Sequence, residues 1–572
     1  MTGTARYGLA AWAAGVAVLL AGTAMAAPAD MVLYNGKVLT VDKAFSVKQA
    51  VAVKDGKILA VGGAEIARDY TAPVRIDLKG RTLLPGFIDS HLHIQSMSKR
   101  QADIEPARSI EQIKALVRAK AAELGPGEWV TGYGWDEALL AEKRNINKDD
   151  LDQAAPNNPV VLTRAGSHSS VGNSLALKIA RIDRSTPDPD AGLIEKGADG
   201  EPNGIVRERI DLYLMHVPAD RWEDVKASYL ESMRRLLPLG ITSFHSASTT
   251  IDDEPVGKGG IAEPRAGLTY KRLQELHRET GHAIPRVTTY ISFPGADRLK
   301  AFGRKSGDGD EWVRLGGIGE NPVDGGFTGP TAWTLADYKD KPGFRGKGRF
   351  TDAELQALVD ASAENGWQMA LHAIGDAAIV QAVDAYANAL DRYPGVKASE
   401  HRWFLDHFTI MPPDATMKKM ADYRMMIVQQ PNFAFNLDGR YRETMDDWRY
   451  RHNNSVATPW KKFGIHTAFG SDNLPIGPLV ALYSAVTRKG AQGQVVGPEE
   501  RVSMQDAIRA YTANGAYLSW EEKIKGSLEP GKLADMIVLD SDPLTIDPDK
   551  IMEIKVDMTI LGGRLVYERA TP

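Results

Sequence analysis

PGFIDSHLH, Pro85 to His93, decides the reading of this chain. Leu83, Leu84, Phe87 and Ile88 read as a short buried strand that opens into Asp89, Ser90, His91, Leu92 and His93. Side chains alternate along a strand, so His91 and His93 share one face about 7 Å apart. Two imidazoles at a strand end suit zinc or a similar borderline metal, which needs further ligands from elsewhere. An isolated His-x-His equally fits two exposed polar side chains, so the rest of the chain has to supply those ligands.

Working outward, seven further apolar runs end in polar residues and are separated by helical patterns: ITSFHSAS (241–248), RVTTYIS (286–292), WVRLGGIGE (312–320), QMALHAIGD (368–376), HRWFLDHF (401–408), MMIVQQP (425–431) and HTAFGSDN (466–473). Runs of this kind are how parallel strands covered on both faces look. With the first run they make eight, which predicts an α/β fold, a TIM-like (β/α)8 barrel over 83–524 with its site at the C-terminal strand ends. Residues from about 95 to 240 exceed one crossover and read as an α/β insertion, a cap with a helix from Ser109 to Leu124 and strands at 129–136 and 159–168. The two chain ends, 27–82 and 525–572, alternate apolar residues around Asn35-Gly36, Asp55-Gly56 and Gly562-Gly563, which are hairpin signals. Neither end has enough strands to bury a core alone, so a small β-sandwich built from both is expected.

With 572 residues and a net charge of −5, nothing is basic enough to suggest nucleic acid. Cysteine is absent, which excludes disulfides, thiolate metal sites and a cysteine nucleophile; a metal must be held by nitrogen and oxygen. Arg6 precedes an apolar run from Leu9 to Ala21, then the small-x-small signature Ala24-Met25-Ala26, which predicts a signal peptide over 1–26 and a periplasmic or secreted mature chain. An uncleaved anchor is the alternative, and the run of about 13 residues is short for a bilayer span. No other window is apolar enough to cross a membrane. The oligomeric state stays open, a homodimer included.

The strand ends carry His91 and His93 (first), Glu320 (fourth), His372 (fifth), His407 (sixth) and Asp472 (eighth). Singly each has a plain structural reading: a buried histidine for His372, half of a surface pair for His407, a helix N-cap for Asp472. Five of eight strand ends supplying metal-type side chains point to a metal site. The opening PGFIDSHLH, the insertion's WDE and PVVLTRAGSHSSVGNSLAL, then GITSFHSA, VDGGFTGPTAW, LHAIGDAA, VQQP, FGSD and the closing GSLEPGKLADMIVLD resemble the amidohydrolase superfamily, more closely its third large family, the YtcJ-like group that includes N-substituted formamide deformylases. The resemblance implies that His91, His93 and Asp472 bind one divalent metal, zinc expected, that His372 and His407 bind a second, and that a fourth-strand acidic group bridges them. Many relatives bridge with a carboxylated lysine; the fourth strand here has none, and Glu320 is the carboxylate at hand. If Glu320 is a solvated loop residue instead, the site holds one ion.

The expected reaction is hydrolysis of a non-peptide C–N bond of a small-molecule substrate, of amide or formamide type, with Asp472 as general base and then general acid. An oxyanion donor is also wanted: His168 in the insertion is a candidate, a loop-stabilising role being its alternative, and His245 at the end of the second strand is another. His466, at the start of the eighth strand, is read as structural. Trp129, Tyr133, Trp135, Phe327, Trp333 and Phe433 hint at an apolar substituent, although aromatic residues are more often core. Alternatives are a deaminase or cyclic-amide hydrolase on the same barrel, and a periplasmic binding protein with a remnant metal site.

Overall fold

The computed structural model describes residues 1–3, 27–190, 192–252 and 267–570. The expected signal peptide falls almost wholly outside them. Among the described residues eight parallel strands form the barrel of the central sheet, to which the short strand Leu268–Thr269 adds beside the second: β1 (Phe87–Leu92), β2 (Ile241–Thr250), β3 (Arg286–Ile291), β4 (Val313–Gly319), β5 (Gln368–Ala373), β6 (Phe404–His407), β7 (Met426–Gln429) and β8 (Thr467–Phe469). They pair in chain order, and a parallel bridge from Leu92 to Asp472 brings the last edge back to the first. This is the TIM-like barrel expected. Closure requires a glycine at 470, where a Cβ would lie 2.7 Å from the His91 amide nitrogen. The strands are buried along nearly their whole length because helices cover the outside. One of them, Asp352–Glu364, starts in a capping box between Thr351 and Glu354 and ends just before Gly366, whose φ is +74°.

The opening stretch is two strands rather than one. Thr82–Pro85 pairs with Met536–Leu539 and Lys37–Leu39 in a sheet outside the barrel, and only after Gly86 does the chain enter β1. A Cβ on Gly86 would lie 2.1 Å from Thr242 Oγ1, so the chain can pass from sheet to barrel here only as glycine. That six-stranded sheet runs in the order Arg564–Glu568, Val556–Leu561, Met536–Leu539, Thr82–Pro85, Lys37–Leu39, Val47–Lys48. A four-stranded sheet of Lys57–Gly62, Ala50–Lys54, Met31–Tyr34 and Val74–Asp77 shares its apolar core, with Leu33, Val51 and Val53 meeting Leu83, Met536, Val538 and Ile560. Asp55-Gly56 and Gly562-Gly563 close hairpins as expected. Asn35-Gly36 does not: it turns the chain out of the four-stranded sheet into the six-stranded one. A positive φ at Asn35, +58°, serves a corner as well as a hairpin.

Between β1 and β2 lies a sheet of its own, in the order Gln101–Ala102, Val130–Trp135, Val160–Arg164, Ser169–Gly172, Pro202–Arg207, Leu193–Lys196. The helix Ile110–Leu124, capped by the Ser109 side chain, packs on it through Ile113 and Val117. The stretch from Pro159 to His168, read as one strand, folds back: Gly166 (φ +87°) and Ser167 (φ +57°) turn the chain into Ser169–Gly172, antiparallel to Val160–Arg164. His168 thereby sits at a turn. No helix among the described residues is long and apolar enough to cross a membrane.

Candidate metal centre

Six side chains from five strand ends meet at the mouth of the barrel. Glu320, one residue past β4, lies at their centre and is 4% exposed. Its Oε1 is 2.7 Å from His372 Nδ1, 2.7 Å from His407 Nε2 and 3.7 Å from His91 Nε2. Its Oε2 is 3.2 Å from His93 Nε2, which in turn is 3.4 Å from Asp472 Oδ1. The donor atoms of His91, His93 and Asp472 lie within 4.8 Å of one another, and so do those of His91, Glu320 and His407. Two donor groups sharing His91 and linked through Glu320 can hold one or two divalent cations.

The backbone presents these groups in unusual conformations. His407 and Asp472 have φ of +74° and +58°, a region that non-glycine residues seldom occupy and that costs of order 1–3 kcal/mol. At Asp472 the conformation is held from both sides: its amide donates to the His91 carbonyl at 2.8 Å, and the preceding Ser471 donates its amide and hydroxyl to Asp89 at 2.9 and 2.5 Å. Asp89 thus ties β1 to the end of β8.

Electrostatics favour a cation. Burial pushes the His91 and His372 imidazoles down to about 3, which keeps them neutral and able to ligate. Burial pushes Asp89 and Asp324 up to about 7 and Asp406 well above the carboxylate range. Glu320 moves the other way: burial raises it, but the surrounding imidazoles, His91 and the hydrogen-bonding His372, His407 and His93, hold it well below its ordinary value. His407 Nδ1 is 3.0 Å from the Gln430 side-chain amide, which turns the other ring nitrogen to the Glu320 carboxylate. Both ring nitrogens of His91, Nε2 of His372 and both carboxylate oxygens of Asp406 are buried without a hydrogen-bond partner among the described residues, although His91 Nδ1 approaches Asp406 within 3.0 Å. Buried polar atoms without partners are costly. The nitrogen and oxygen donors fit a hard or borderline divalent ion.

Of the two candidate oxyanion donors, only one stands over this cluster. His168 reaches down from the insertion with its ring centroid 5.8 Å from that of His372. Its Nδ1 is 2.9 Å from Glu208, which also accepts from Arg349 at 2.5 Å and from Thr331 Oγ1. His245 is 1% exposed, inside the barrel, with Nδ1 3.4 Å from the Tyr290 hydroxyl, and burial and the Lys525 charge push it well below its ordinary value. His466 contacts the Asn514 carbonyl at 3.4 Å, away from the mouth. Among the aromatic residues, Phe433 stacks on His407 with centroids 5.8 Å apart, whereas Trp129 and Trp135 are buried in the insertion. Sequence reasoning missed Glu208, Asp324, Asp406 and Asp89. Asp324 accepts from the amides of Trp333, Ile374 and Gly375 at 2.8, 3.0 and 2.8 Å and lies 3.8 Å from His372 Nε2. Its place in VDGG, four residues after Glu320, was the available signal.

The profile of the amidohydrolase family matches residues 75–567. The YtcJ protein of Bacillus subtilis (strain 168) is 29% identical over 541 residues, 91% of this chain and 96% of its own length. An N-substituted formamide deformylase of Arthrobacter pascens is 28% identical over 562 residues, 94% of this chain and 98% of its own. In fold, the crystal structure of an uncharacterized metal-dependent hydrolase from Pyrococcus horikoshii OT3 matches with a TM-score of 0.68 at 23% identity, over 91% of this chain and 99% of that one. With the profile spanning the whole barrel and the C-terminal strands of the end sheets, this chain belongs to the amidohydrolase family.

Proposed function

We propose that this protein is a metal-dependent hydrolase of a carbon–nitrogen bond other than a standard peptide bond, of the amide or formamide kind, acting on a small molecule. The observation that carries the reading is the convergence of four imidazoles and Asp472 around Glu320 at the barrel mouth. The near full-length similarity to an N-substituted formamide deformylase supports the choice of bond. His91, His93 and Asp472 would hold one ion, His372 and His407 a second, with Glu320 between them; zinc suits this nitrogen and oxygen set. A bound divalent ion supplies Lewis acidity, which polarises a carbonyl and acidifies water toward neutral pH.

The chain's own groups carry the proton. Asp472, 3.4 Å from His93 at the rim, takes a proton from the attacking water as its oxygen bonds to the carbonyl carbon. The same carboxyl then gives that proton to the nitrogen as the C–N bond breaks, so acid and amine leave and Asp472 returns to carboxylate. His168 donates to the oxygen of the tetrahedral intermediate. The apolar run before Ala24-Met25-Ala26 supports secretion or a periplasmic location.

The test is a panel of N-substituted formamides, other N-acyl amines, cyclic amides and aminopurines offered to zinc-loaded protein, with formate, acid and ammonia release followed. Formate or acid release from the open-chain amides is the expected result. Ammonia release from aminopurines alone overturns the choice of bond, and mass spectrometry showing an intact Met1 on exported protein overturns the processing.

A further inference from the structure

Glu208 is more constrained than any ordinary partner of a loop histidine needs to be. It follows the insertion strand Pro202–Arg207, yet its carboxylate is 3% exposed and reaches across to the loop after β4. There it accepts from three donors of different origin: His168 Nδ1 at 2.9 Å, Arg349 Nη2 at 2.5 Å and the Thr331 hydroxyl. The backbone adds a fourth tie, since the Glu208 amide donates to the His168 carbonyl at 2.7 Å. The barrel loop is shaped around this pair by Gly325 and Gly326. A Cβ on Gly325 would come within 2.7 Å of Glu208 Oε1, and one on Gly326 within 3.0 Å of His168 Nε2. With Nδ1 committed to Glu208, Nε2 is the ring nitrogen left to face a ligand.

We propose that Glu208 is a positioning residue that fixes His168 so that Nε2 points at the oxygen of the substrate's scissile carbonyl, and that Arg349 and Thr331 hold Glu208 for this purpose. The proposal rests on the hydrolase reading above. A carboxylate 2.9 Å from Nδ1 also favours the ring protonated on both nitrogens, and that form donates from Nε2. The logic is that of an orienting carboxylate behind a ligating or catalytic histidine: it sets the ring's direction and tautomer, and its loss typically costs 10- to 100-fold. Here the carboxylate comes from the insertion, so the cap's seat on the β4 loop and the alignment of the oxyanion donor are one and the same contact.

The test is a double-mutant cycle on zinc-loaded protein with two readouts, turnover of the best amide substrate and calorimetric binding of methylphosphonate, a tetrahedral anion resembling the intermediate. Glu208→Gln and His168→Asn are each expected to lower kcat about 10- to 100-fold with KM changed less than about 3-fold, and to weaken methylphosphonate to a similar degree. In the His168→Asn background, Glu208→Gln is expected to add less than about 2-fold to either loss, because a residue acting through His168 has nothing left to act on. Glu208→Asp restores part of the activity, and Gly326→Ala, which touches His168 but not Glu208, lowers kcat in the same sense. Equal zinc content in all variants keeps the effect apart from metal loss. Losses that multiply in the double variant, a rise in KM with kcat intact, or no methylphosphonate binding by the parent overturns the proposal. Absence of turnover with every amide would sink the hydrolase reading alone, since the methylphosphonate cycle still decides on Glu208.

Discussion

At the mouth of the barrel Glu320 is surrounded by four imidazoles; at the opposite end Glu521 is surrounded by Lys525, Ser519, Thr288 and Arg314. Both carboxylates are buried, at 4% and 2% exposure. Glu521 meets the Lys525 ammonium at 2.7 Å and the Ser519 hydroxyl at 2.7 Å, and Lys525 donates onward to Ser243 at 2.7 Å. Burial pushes Glu521 up, but the Lys525 and Arg314 charges bring it down on balance. The floor therefore neutralises its own charge with fixed cations from the chain. The mouth has only imidazoles to set against Glu320, Asp472, Asp406 and Asp89, and burial keeps His91 and His372 neutral. One end of the barrel is complete as protein; the other is built for a cation that the chain does not contain. Two buried acidic clusters in one barrel thus differ in who supplies the counter-charge.

The sharpest way to break this comparison is to remove the pair that opens the site. Replacing His91 and His93 with Ala is expected to abolish activity and bound metal while the circular dichroism of the folded barrel persists. Metal content equal to the parent by elemental analysis would sink the assignment. Asp472→Asn comes next: it keeps the size and one oxygen but loses the proton acceptor, so activity is expected to fall at least about 10²-fold with much of the metal retained. Glu320→Gln should behave differently, lowering occupancy toward one ion per chain and activity with it. If Glu320→Gln leaves metal count and turnover unchanged, the bridge is wrong; parental turnover from metal-loaded Asp472→Asn removes its proton-transfer role.

These residues were legible because strand periodicity places them. His91 and His93 are two apart across the end of a strand, and Glu320, His372, His407 and Asp472 each stand where an apolar run gives way to polar residues. What holds His168 above them was not legible. Glu208 lies after an insertion strand, and its partners Arg349 and Thr331 are 141 and 123 residues away, so no local pattern links them. The boundary at Gly86 was hidden for another reason: Leu83 and Leu84 are as apolar as Phe87 and Ile88, and periodicity cannot say that the first pair belongs to a different sheet. Asn35-Gly36 shows the same limit, because turn chemistry fixes a φ and leaves the partner of each flanking strand to packing.

At the floor the expected loss is in stability and spares the metal. Lys525→Met leaves Glu521 buried beside only Arg314, at 3.5 Å, and two hydroxyls. Removing one partner of a buried pair costs about 3–5 kcal/mol, so denaturant midpoints should drop sharply while zinc per folded chain stays at the parental value. A fall in zinc per folded chain would mean that the two ends are coupled and the comparison is too simple.

The smallest effect tests whether a histidine at the floor side behaves differently from those at the mouth. His401, 4% exposed just before β6, accepts from the Trp403 amide through Nδ1 at 3.1 Å and meets the Tyr423 carbonyl through Nε2 at 3.0 Å. Both nitrogens are spent within the protein, which defines one neutral tautomer, whereas the mouth imidazoles keep nitrogens for a ligand. Burial pushes His401 down from 6.5 to about 4. Because the folded value lies below the unfolded one, its contribution is fully present above about pH 6.5 and is lost as pH falls through about 4, a change on the order of 3 kcal/mol. Protonation would also turn Nδ1 from acceptor to donor and break the contact with Trp403. His401→Asn keeps an acceptor for that amide and loses only the bond to Tyr423, so at pH 7.5 it should cost about 1 kcal/mol. The variant no longer titrates at this position, so the gap between parent and variant should narrow, and then reverse, between pH 6.5 and 4. Urea midpoints that fall in parallel for parent and variant over that range would show that His401 does not set the acid sensitivity of the floor.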